Sequence, residues 1–453
     1  MRHIVKIILM LAPLLWSAAA VAQETPPTPL FDGFTHMGVA SCTNAGCHGD
    51  QVTGPGAGPV VGQNEYIRWL SPGQKGAHSR AYTVLWNDHA RRIADNLGIG
   101  PAYQSPVCLN CHADNVAPNL RGDRFQISDG VGCEACHGGA QNWLASHRSA
   151  PGHQANISIG LYPTELPIAR GKLCLGCHLG SIEDYQFVSH RIMGAGHPRL
   201  KFELDLYTAM QSHHAIDADY AARKYAAPGA KVWAVGQALA LQRTLELVSD
   251  KTIGLDGAFP EFVFFDCHAC HQPIADDDST LSWRANPARG LGPGAPTFND
   301  ANLIMLIAAS RVLDPALAEE LEGQGRAVHA AAQTSHSAFI DAARRLKETA
   351  DALVLRFDGL DYSDGSGRAV LDQVLSDRLA ERYTNYAVAE QALFAVQRLV
   401  ADLTDGGKVS QSDAKRLNKA IAEAGKAVES PYTYNQDQFR RALKGLAATL
   451  EKN

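Results

Sequence analysis

Ten cysteines fall into five pairs, and a histidine follows the second cysteine of every pair. In four of the pairs two residues separate the cysteines, the spacing of the c-type haem attachment signature. In such a site both thiols bond to the vinyl groups of one haem, and the following histidine is the proximal iron ligand. We therefore predict haem c at Cys108/Cys111 with His112, Cys133/Cys136 with His137, Cys174/Cys177 with His178, and Cys267/Cys270 with His271.

Two other uses of paired cysteines explain the pattern less well. Disulfides are common in exported proteins, and zinc sites also use two cysteines separated by two residues. Neither of them requires a histidine at the next position. Histidine is only 18 of the 453 residues. Its presence after all five pairs by chance has odds on the order of one in ten million.

The first pair differs from the others, because four residues separate Cys42 from Cys47 before His48. A disulfide across this short loop is one interpretation. The other is a fifth haem site in which the two extra residues bulge out of the attachment loop. We favour the haem site, because His48 occupies the position of the proximal ligand. The sequence thus predicts five covalently bound haems.

A second axial ligand distinguishes a haem that only transfers electrons from a haem that catalyses a reaction. Catalysis needs an open iron position, where a small molecule can bind. Methionine is scarce here, with only Met37, Met193 and Met210 nearby, so coordination by two histidines is favoured. We interpret His36 and His89 as ordinary residues. In the adjacent pair formed by His213 and His214, we prefer His213. The candidate distal ligands are His78, His147, His190, His197 and His213.

The N-terminus predicts export. Arg2 and Lys6 precede an apolar stretch at 7–20, and small residues near Ala22 suit signal-peptide cleavage. The apolar stretch is shorter than the ~20 residues that span a bilayer. We therefore expect residues 1–22 to be removed, leaving a periplasmic protein with no membrane span.

Composition argues against a nucleic-acid partner. Residues 1–22 contain two basic and no acidic residues, so their removal changes the formal net charge from −6 to −8. There is no basic tract of the kind that nucleic-acid binding uses. The chain also lacks the ending of a phosphate-binding loop, a nucleophile elbow and a zinc-protease motif.

The elements that must position these residues are predicted to be helices and loops. Haem supplies much of the apolar core in such a protein, so we expect extensive loops and little β-structure before residue 284. Apolar residues at helical spacing dominate after residue 297. We predict a mainly α protein, comprising a multihaem cytochrome c domain at 23–283, a Gly/Pro linker at 284–297 and a helical bundle at 298–453. The bundle is either an independent domain or a wrap around the haem region.

Several stretches resemble the multihaem cytochromes of the cytochrome c-554 type. They are SC-x4-CHG, CLNCHA, DGVGCEACHGGAQNWLASH, LCLGCHLG, MGAGHPRLKFEL and FFDCHACHQ, between Cys42 and His271. The resemblance implies a periplasmic electron carrier with closely stacked haems, mostly bound by two histidines. It supports all five proximal histidines and, as distal ligands, His78, His147, His190 and His197. The four-haem carrier that names the family has fewer sites and lacks the long helical tail, so its partner and haem arrangement do not transfer.

The leading functional hypothesis is an electron-transfer protein that exchanges electrons with a periplasmic redox partner protein. The alternative is a haem oxidoreductase acting on a small nitrogen or sulfur compound at a five-coordinate haem, as one family haem lacks a distal ligand. A third hypothesis is a haem subunit that the helical region docks into a larger complex. The supply of spare histidines favours the carrier over the enzyme.

Overall fold

Helices dominate the chain, and they are short before residue 229 and mostly long after it. The computed structural model describes residues 26–50, 63–149, 152–183, 185–257, 259–271, 286–292, 295–362 and 365–451. The predicted signal peptide at 1–22 lies outside these residues. The mainly α architecture predicted from the sequence is confirmed.

The α-helices, in chain order, are α1 (Glu65–Trp69), α2 (Asp88–Leu97), α3 (Pro106–His112), α4 (Glu134–His137), α5 (His153–Ile157), α6 (Pro167–His178), α7 (His190–Gly194), α8 (Leu204–Met210), α9 (Ala218–Arg223), α10 (Gly229–Ser249), α11 (Ala301–Leu313), α12 (Pro315–Ala332), α13 (His336–Gly359), α14 (Ser366–Leu375), α15 (Asp377–Ala380), α16 (Tyr386–Asp405), α17 (Gln411–Ala427) and α18 (Gln436–Leu450). Single turns of 3-10 helix lie at Pro29–Phe31, Val39–Ser41, Gln74–Gly76, His78–Arg80, Thr83–Trp86, Ala102–Gln104, Pro118–Leu120, Ile127–Asp129, Phe262–Phe264, Cys267–Ala269 and Pro287–Arg289. A two-stranded antiparallel sheet joins β1 (Leu255–Asp256) to β2 (Phe259–Pro260), with Leu255 opposite Pro260.

Helix α10 is the centre of the largest hydrophobic core. It is apolar on nearly every side, and Trp233, Val235, Leu239 and Leu245 are almost completely buried. A helix with apolar residues all round is stable only when other elements surround it. Helices α6, α8, α11, α13 and α16 do so, and α13 makes the most extensive contact.

This core continues across the predicted linker. Leu175 of α6 and Phe202 belong to the same cluster of buried side chains as helices α11 to α18. The C-terminal helices therefore pack directly on the segment that carries the Cys-x-x-Cys-His motif at Cys174. The domain boundaries at 283 and 298 remain a prediction, and the hydrophobic core extends over both sides of them.

The repeating apolar residues of the C-terminal region occupy helix faces as predicted. Phe339, Leu346 and Phe357 are buried on α13, and Phe439 and Leu446 are buried on α18. The repeat from Leu371 to Tyr383 differs, because α14 ends at Leu375 and α15 begins at Asp377 after Ser376 caps it.

Buried ion pairs join distant segments within this core. Arg289 donates to both carboxylate oxygens of Asp300 at 2.7 Å, and His329 contacts the same carboxylate at 3.1 Å. Arg398 of α16 donates to Asp205 of α8 at 2.6 Å. The contacts of Arg398 and His329 hold α8 and Asp300 against the C-terminal helices.

His36 anchors the N-terminal segment in the haem-motif region. Its fully buried ring contacts Asp114 at 2.8 Å through Nδ1 and lies 3.8 Å from Asp32. Close by, the carboxylate of Glu134 accepts hydrogen bonds from the backbone amides of Met37 and Gly38. The contacts fit the interpretation of His36 as a structural residue.

Across the residues that the structure describes, none of the helices combines the length and apolar character needed to cross a bilayer.

The ion pairs of His36 predict a pH-dependent contribution to stability. Burial lowers its pKa, but the carboxylates of Asp114 and Asp32 outweigh this and raise the pKa from 6.5 to about 10. The stabilisation is therefore fully present below pH 6.5 and is lost as the pH rises through about 10. We expect His36→Gln to lower the free energy of unfolding by about 3 kcal/mol near neutral pH, the cost of breaking a buried pair.

Denaturant unfolding followed by circular dichroism, at neutral pH and above pH 10, measures this difference. His89→Gln is the matched control, because His89 is an exposed histidine. A loss of stability in His36→Gln that is the same at both pH values would contradict the assignment.

Candidate haem sites

Helical geometry places the attachment residues of the regular motifs together. Residues i, i+3 and i+4 share one face of a helix, and these are the positions of the two cysteines and the histidine. Cys108 to His112 end α3, and Cys174 to His178 end α6. The motif at Cys133 forms α4, and Cys267 begins a 3-10 turn.

The Cys42–His48 motif closes by a turn instead of a helix. The amide of Cys47 donates to the carbonyl of Asn44 at 2.8 Å, and the amide of His48 donates to the carbonyl of Cys42 at 3.2 Å. The turn thus brings His48 next to Cys42 despite the four intervening residues. All ten cysteines lie in the described ranges and are free thiols, so no disulfide joins Cys42 to Cys47.

The motif that ends in Cys270 and His271 is more open than the other four. Cys270 is exposed, whereas the other nine cysteines are partly buried. A single 3-10 turn lies at Cys267–Ala269, where the motifs of α3 and α6 are α-helical. The backbone of the motif still closes, since the amide of His271 donates to the carbonyl of Cys267 at 2.7 Å.

Haem attachment at Cys270 therefore stays a prediction from its Cys-x-x-Cys-His spacing, and burial of the thiol does not support it. Haem bound at this motif would be attached through one thiol that is exposed in this structure.

Each attachment histidine faces a second histidine from a distant part of the chain. Two imidazoles that bind one metal at about 2 Å each have ring centres about 6 Å apart. The described structure brings together five such pairs, which are the five proximal and the five candidate distal residues. Their ring-centre distances are 6.2 Å for His48–His147, 6.4 Å for His112–His197, 6.2 Å for His137–His213, 6.1 Å for His178–His78 and 6.0 Å for His271–His190.

Hydrogen bonds at Nδ1 prepare several of these rings to bind a metal through Nε2. A carbonyl oxygen only accepts, so an Nδ1 against a carbonyl carries the proton and leaves the Nε2 lone pair free. His112 donates in this way to Ala81 at 2.9 Å. Three distal candidates do the same, namely His147 to Leu144 at 2.7 Å, His197 to Pro198 at 2.8 Å and His213 to Gln211 at 2.7 Å.

Burial favours the neutral form, which binds metal, in several of these imidazoles. Burial, followed by neighbouring histidines, lowers the pKa of His178 to about 4. Burial likewise lowers the pKa of His213 to about 4, despite the opposing carbonyl of Gln211. It lowers the pKa of His78 and His112 as well. At His48 the hydrogen bond to Glu65 acts in the other direction and raises the pKa. The residues fit haem iron, since pairs of imidazoles lie at the required spacing.

The His137 site contains a third imidazole. His214 lies 5.7 Å from His137 between ring centres, and potential ligand atoms of His137, His213 and His214 lie within 4.8 Å of one another. The Nδ1 of His213 is held by a backbone carbonyl, whereas that of His214 faces the Glu65 carboxylate at 3.4 Å. The contact of His213 is the shorter of the two, and its acceptor belongs to the backbone. The ring of His213 is therefore held in a more defined orientation than the ring of His214.

The attachment motifs lie next to each other in a definite order. The thiols of Cys42 and Cys133 are close enough to affect each other's pKa, and so are the thiols of Cys111 and Cys177. The thiol of Cys136 is close enough to Cys174 and Cys177 for their charges to interact. The His48 site is therefore adjacent to the His137 site, that site to the His178 site, and the His178 site to the His112 site.

A fifth site joins this series through α7. His190 begins the helix and faces His271, and His197 lies one short turn later and faces His112. The glycine-rich segment between them is fixed at Gly196, whose φ of +124° suits glycine. One segment of chain therefore supplies an imidazole to two sites.

Other histidines have partners away from these pairs. His89 is exposed and contacts the Gly196 carbonyl at 3.0 Å, and His153 contacts Glu165 at 2.6 Å. His268 packs edge-on against Tyr432. The sequence analysis did not single out Glu65, whose carboxylate contacts His48 at 3.1 Å. Nothing in its local sequence marks that contact.

Five attachment motifs, each with a second imidazole about 6 Å away, are the arrangement expected of a multihaem c-type cytochrome. The family model described as cytochrome c554 and c-prime matches residues 42–138, so this part of the chain is similar to that family. The matched residues contain three of the five motifs. The match supports the predicted resemblance over these residues, and a cytochrome c family implies covalently bound haem c and electron transfer. No curated protein and no solved structure matches the chain.

The turn at Cys42–His48 predicts that this motif carries haem. We expect the exported protein to have the mass of the chain with five haems, and the Cys42→Ser/Cys47→Ser variant to have the mass of four. Intact-protein mass spectrometry measures both. Thr43→Ala, which changes the loop without removing a thiol, is the control and should keep five. A wild-type mass with four haems would exclude this site.

The hydrogen bond of His213 predicts which member of the histidine doublet ligates. We expect His213→Ala to convert one haem of five to the high-spin form, because its iron loses a ligand. His214→Ala should leave every haem low-spin, as electron paramagnetic resonance of the oxidised protein would record. A high-spin signal in His214→Ala, or low-spin signals in both single variants, would contradict the choice of His213.

Proposed function

We propose that the protein is a periplasmic electron-transfer cytochrome that carries electrons along five covalently bound haems, each ligated by two histidines. The observation that carries this proposal is the pairing of every attachment histidine with a second histidine at 6.0–6.4 Å between ring centres. An iron with two imidazole ligands exchanges electrons without an open position for a substrate. The supply of a partner imidazole at all five sites therefore favours the carrier.

The order of the sites supports conduction from one haem to the next. Thiol contacts link the His48 site to the His137 site and the His178 site to the His112 site, and Cys136 interacts with the two thiols of the His178 site. Helix α7 links the His112 site to the His271 site. Every site then has a neighbour, and the His48 and His271 sites form the two ends of the series.

The residues of the chain hold and tune the haems. Bound haem supplies reversible one-electron chemistry at iron. The cysteines fix one edge of each haem, and the paired imidazoles hold its two faces. The backbone carbonyls at Nδ1 fix the orientation of the ligand rings and increase their basicity.

Two histidine ligands favour lower reduction potentials than a histidine and a methionine do. The partner is then a periplasmic redox protein that exchanges single electrons with an end of the series. The exposure of Cys270 makes the His271 end accessible to such a partner. The export signal expected at 1–22 supports the periplasmic assignment.

The enzyme alternative requires one iron with an open position. Among the five sites, all of which lie in the described residues, none lacks a second imidazole within 6.4 Å. No observation favours that alternative over the carrier, and the following experiment separates the two.

We expect the oxidised protein to show only low-spin haem signals in electron paramagnetic resonance. Cyanide or nitric oxide should bind to none of the haems, because both axial positions are occupied. His147→Ala is the positive control, since removing the partner of His48 should create one high-spin haem of five that binds cyanide. A high-spin haem that binds either molecule in the wild-type protein would contradict the carrier proposal and support the oxidoreductase.

A further inference from the structure

The carboxylate of Glu65 contacts histidines of two different haem sites. One oxygen lies 3.1 Å from Nδ1 of His48, and the other lies 3.4 Å from Nδ1 of His214. His48 is the proximal residue of its site, and His214 packs at 5.7 Å against His137 of the next site. Within the described chain, this is the carboxylate that joins two of the paired-histidine sites.

Helix α1 holds Glu65 in this place. Glu65 is the first residue of the helix, and the following amide, of Tyr66, donates to the carbonyl of His48 at 3.0 Å. At the other end of the helix, Trp69 donates through Nε1 to the carbonyl of Val131 at 3.1 Å. Val131 lies just before Cys133, so α1 is tied to both attachment motifs that its carboxylate serves.

Each oxygen of the Glu65 carboxylate has an imidazole nitrogen beside it. Nδ1 of His48 lies at one oxygen and Nδ1 of His214 at the other. The side chain of Glu65 is only 14% exposed, so its charge acts with little screening by water.

We propose that Glu65 is a positioning residue shared by two haem sites, which orients His48 and lowers the reduction potentials of the His48 and His137 haems. A carboxylate that accepts the Nδ1 proton makes a ligating imidazole a stronger donor, and this stabilises the oxidised metal. A nearby negative charge has the same effect through space. Among the paired histidines, the other Nδ1 contacts described above involve neutral carbonyls, so His48 differs from those ligands in facing a carboxylate.

This inference rests on the proposed haem coordination, and it is tested by Glu65→Gln. Glutamine keeps an acceptor oxygen and removes the charge. We expect five low-spin haems, with two of the five one-electron steps moved to more positive potential. The expected size is about a tenfold change in the ratio of reduced to oxidised haem at fixed potential, which corresponds to about 59 mV for one electron. Spectroscopic redox titration measures the steps.

Two further variants test whether charge near these two haems sets their reduction potentials. Glu165→Gln removes a carboxylate that also contacts a histidine, but that histidine, His153, faces none of the attachment histidines, so the potentials should stay unchanged. Lys224 places a positive charge near His48 and His137. We expect Lys224→Gln to move the same two steps to more negative potential.

The outcomes separate this inference from the proposed function. Five low-spin haems in Glu65→Gln with wild-type potentials would overturn the role of Glu65 and leave the carrier intact. A high-spin haem in the wild-type protein would instead count against the carrier. If Glu65→Gln loses haem, Glu65→Asp keeps the charge and should bind all five with wild-type potentials. Loss of haem in that variant too would overturn the electrostatic role.

Discussion

The arrangement of the first half of the chain depends on the pairing of imidazoles across long stretches of sequence. Each attachment histidine is fixed locally by its motif, but its partner lies about 75 to 100 residues away along the chain. A ligand bridge that closes a long loop removes more freedom from the unfolded chain than one that closes a short loop. Five such bridges allow a segment of short helices and turns to hold a defined shape with few long elements of its own.

The haem attachment sites could be predicted from the sequence, because the residues of each motif are neighbours in the chain. In each of four motifs, the spacing of the two cysteines and the histidine is the attachment signature of one haem. Attachment and proximal ligation could therefore be predicted from neighbouring residues. The pairing of His78 with His178, or of His147 with His48, depends on the path of the chain over many turns, and no local pattern encodes it. The resemblance to a known family pointed to four distal candidates but did not assign them to motifs.

Three other features could not be predicted from the local sequence, because they also depend on the path of the chain. They are the contacts of Glu65, the exposure of Cys270 and the composition of the core. A single acidic residue at the start of a five-residue helix has no signature, and identical spacing in the motifs does not reveal which thiol faces solvent. Helix α10 is apolar on nearly every side, and it lies at the centre of the core that it shares with the C-terminal helices. An all-round apolar helix predicts burial, but it does not predict what surrounds it. The lengths and buried faces of α13 and α18, in contrast, followed from strong helical periodicity.

The packing of α6 has a consequence for biogenesis. This helix ends in Cys174, Cys177 and His178, and along its length it lies against α10 in the core shared with the C-terminal helices. Thioether formation requires that both thiols meet the haem edge, which a finished core around Cys174 would obstruct. We therefore expect haem attachment at this motif to precede the packing of the C-terminal helices, which begin more than a hundred residues later. In this order of events, haem is attached to α6 before the C-terminal helices have folded against it.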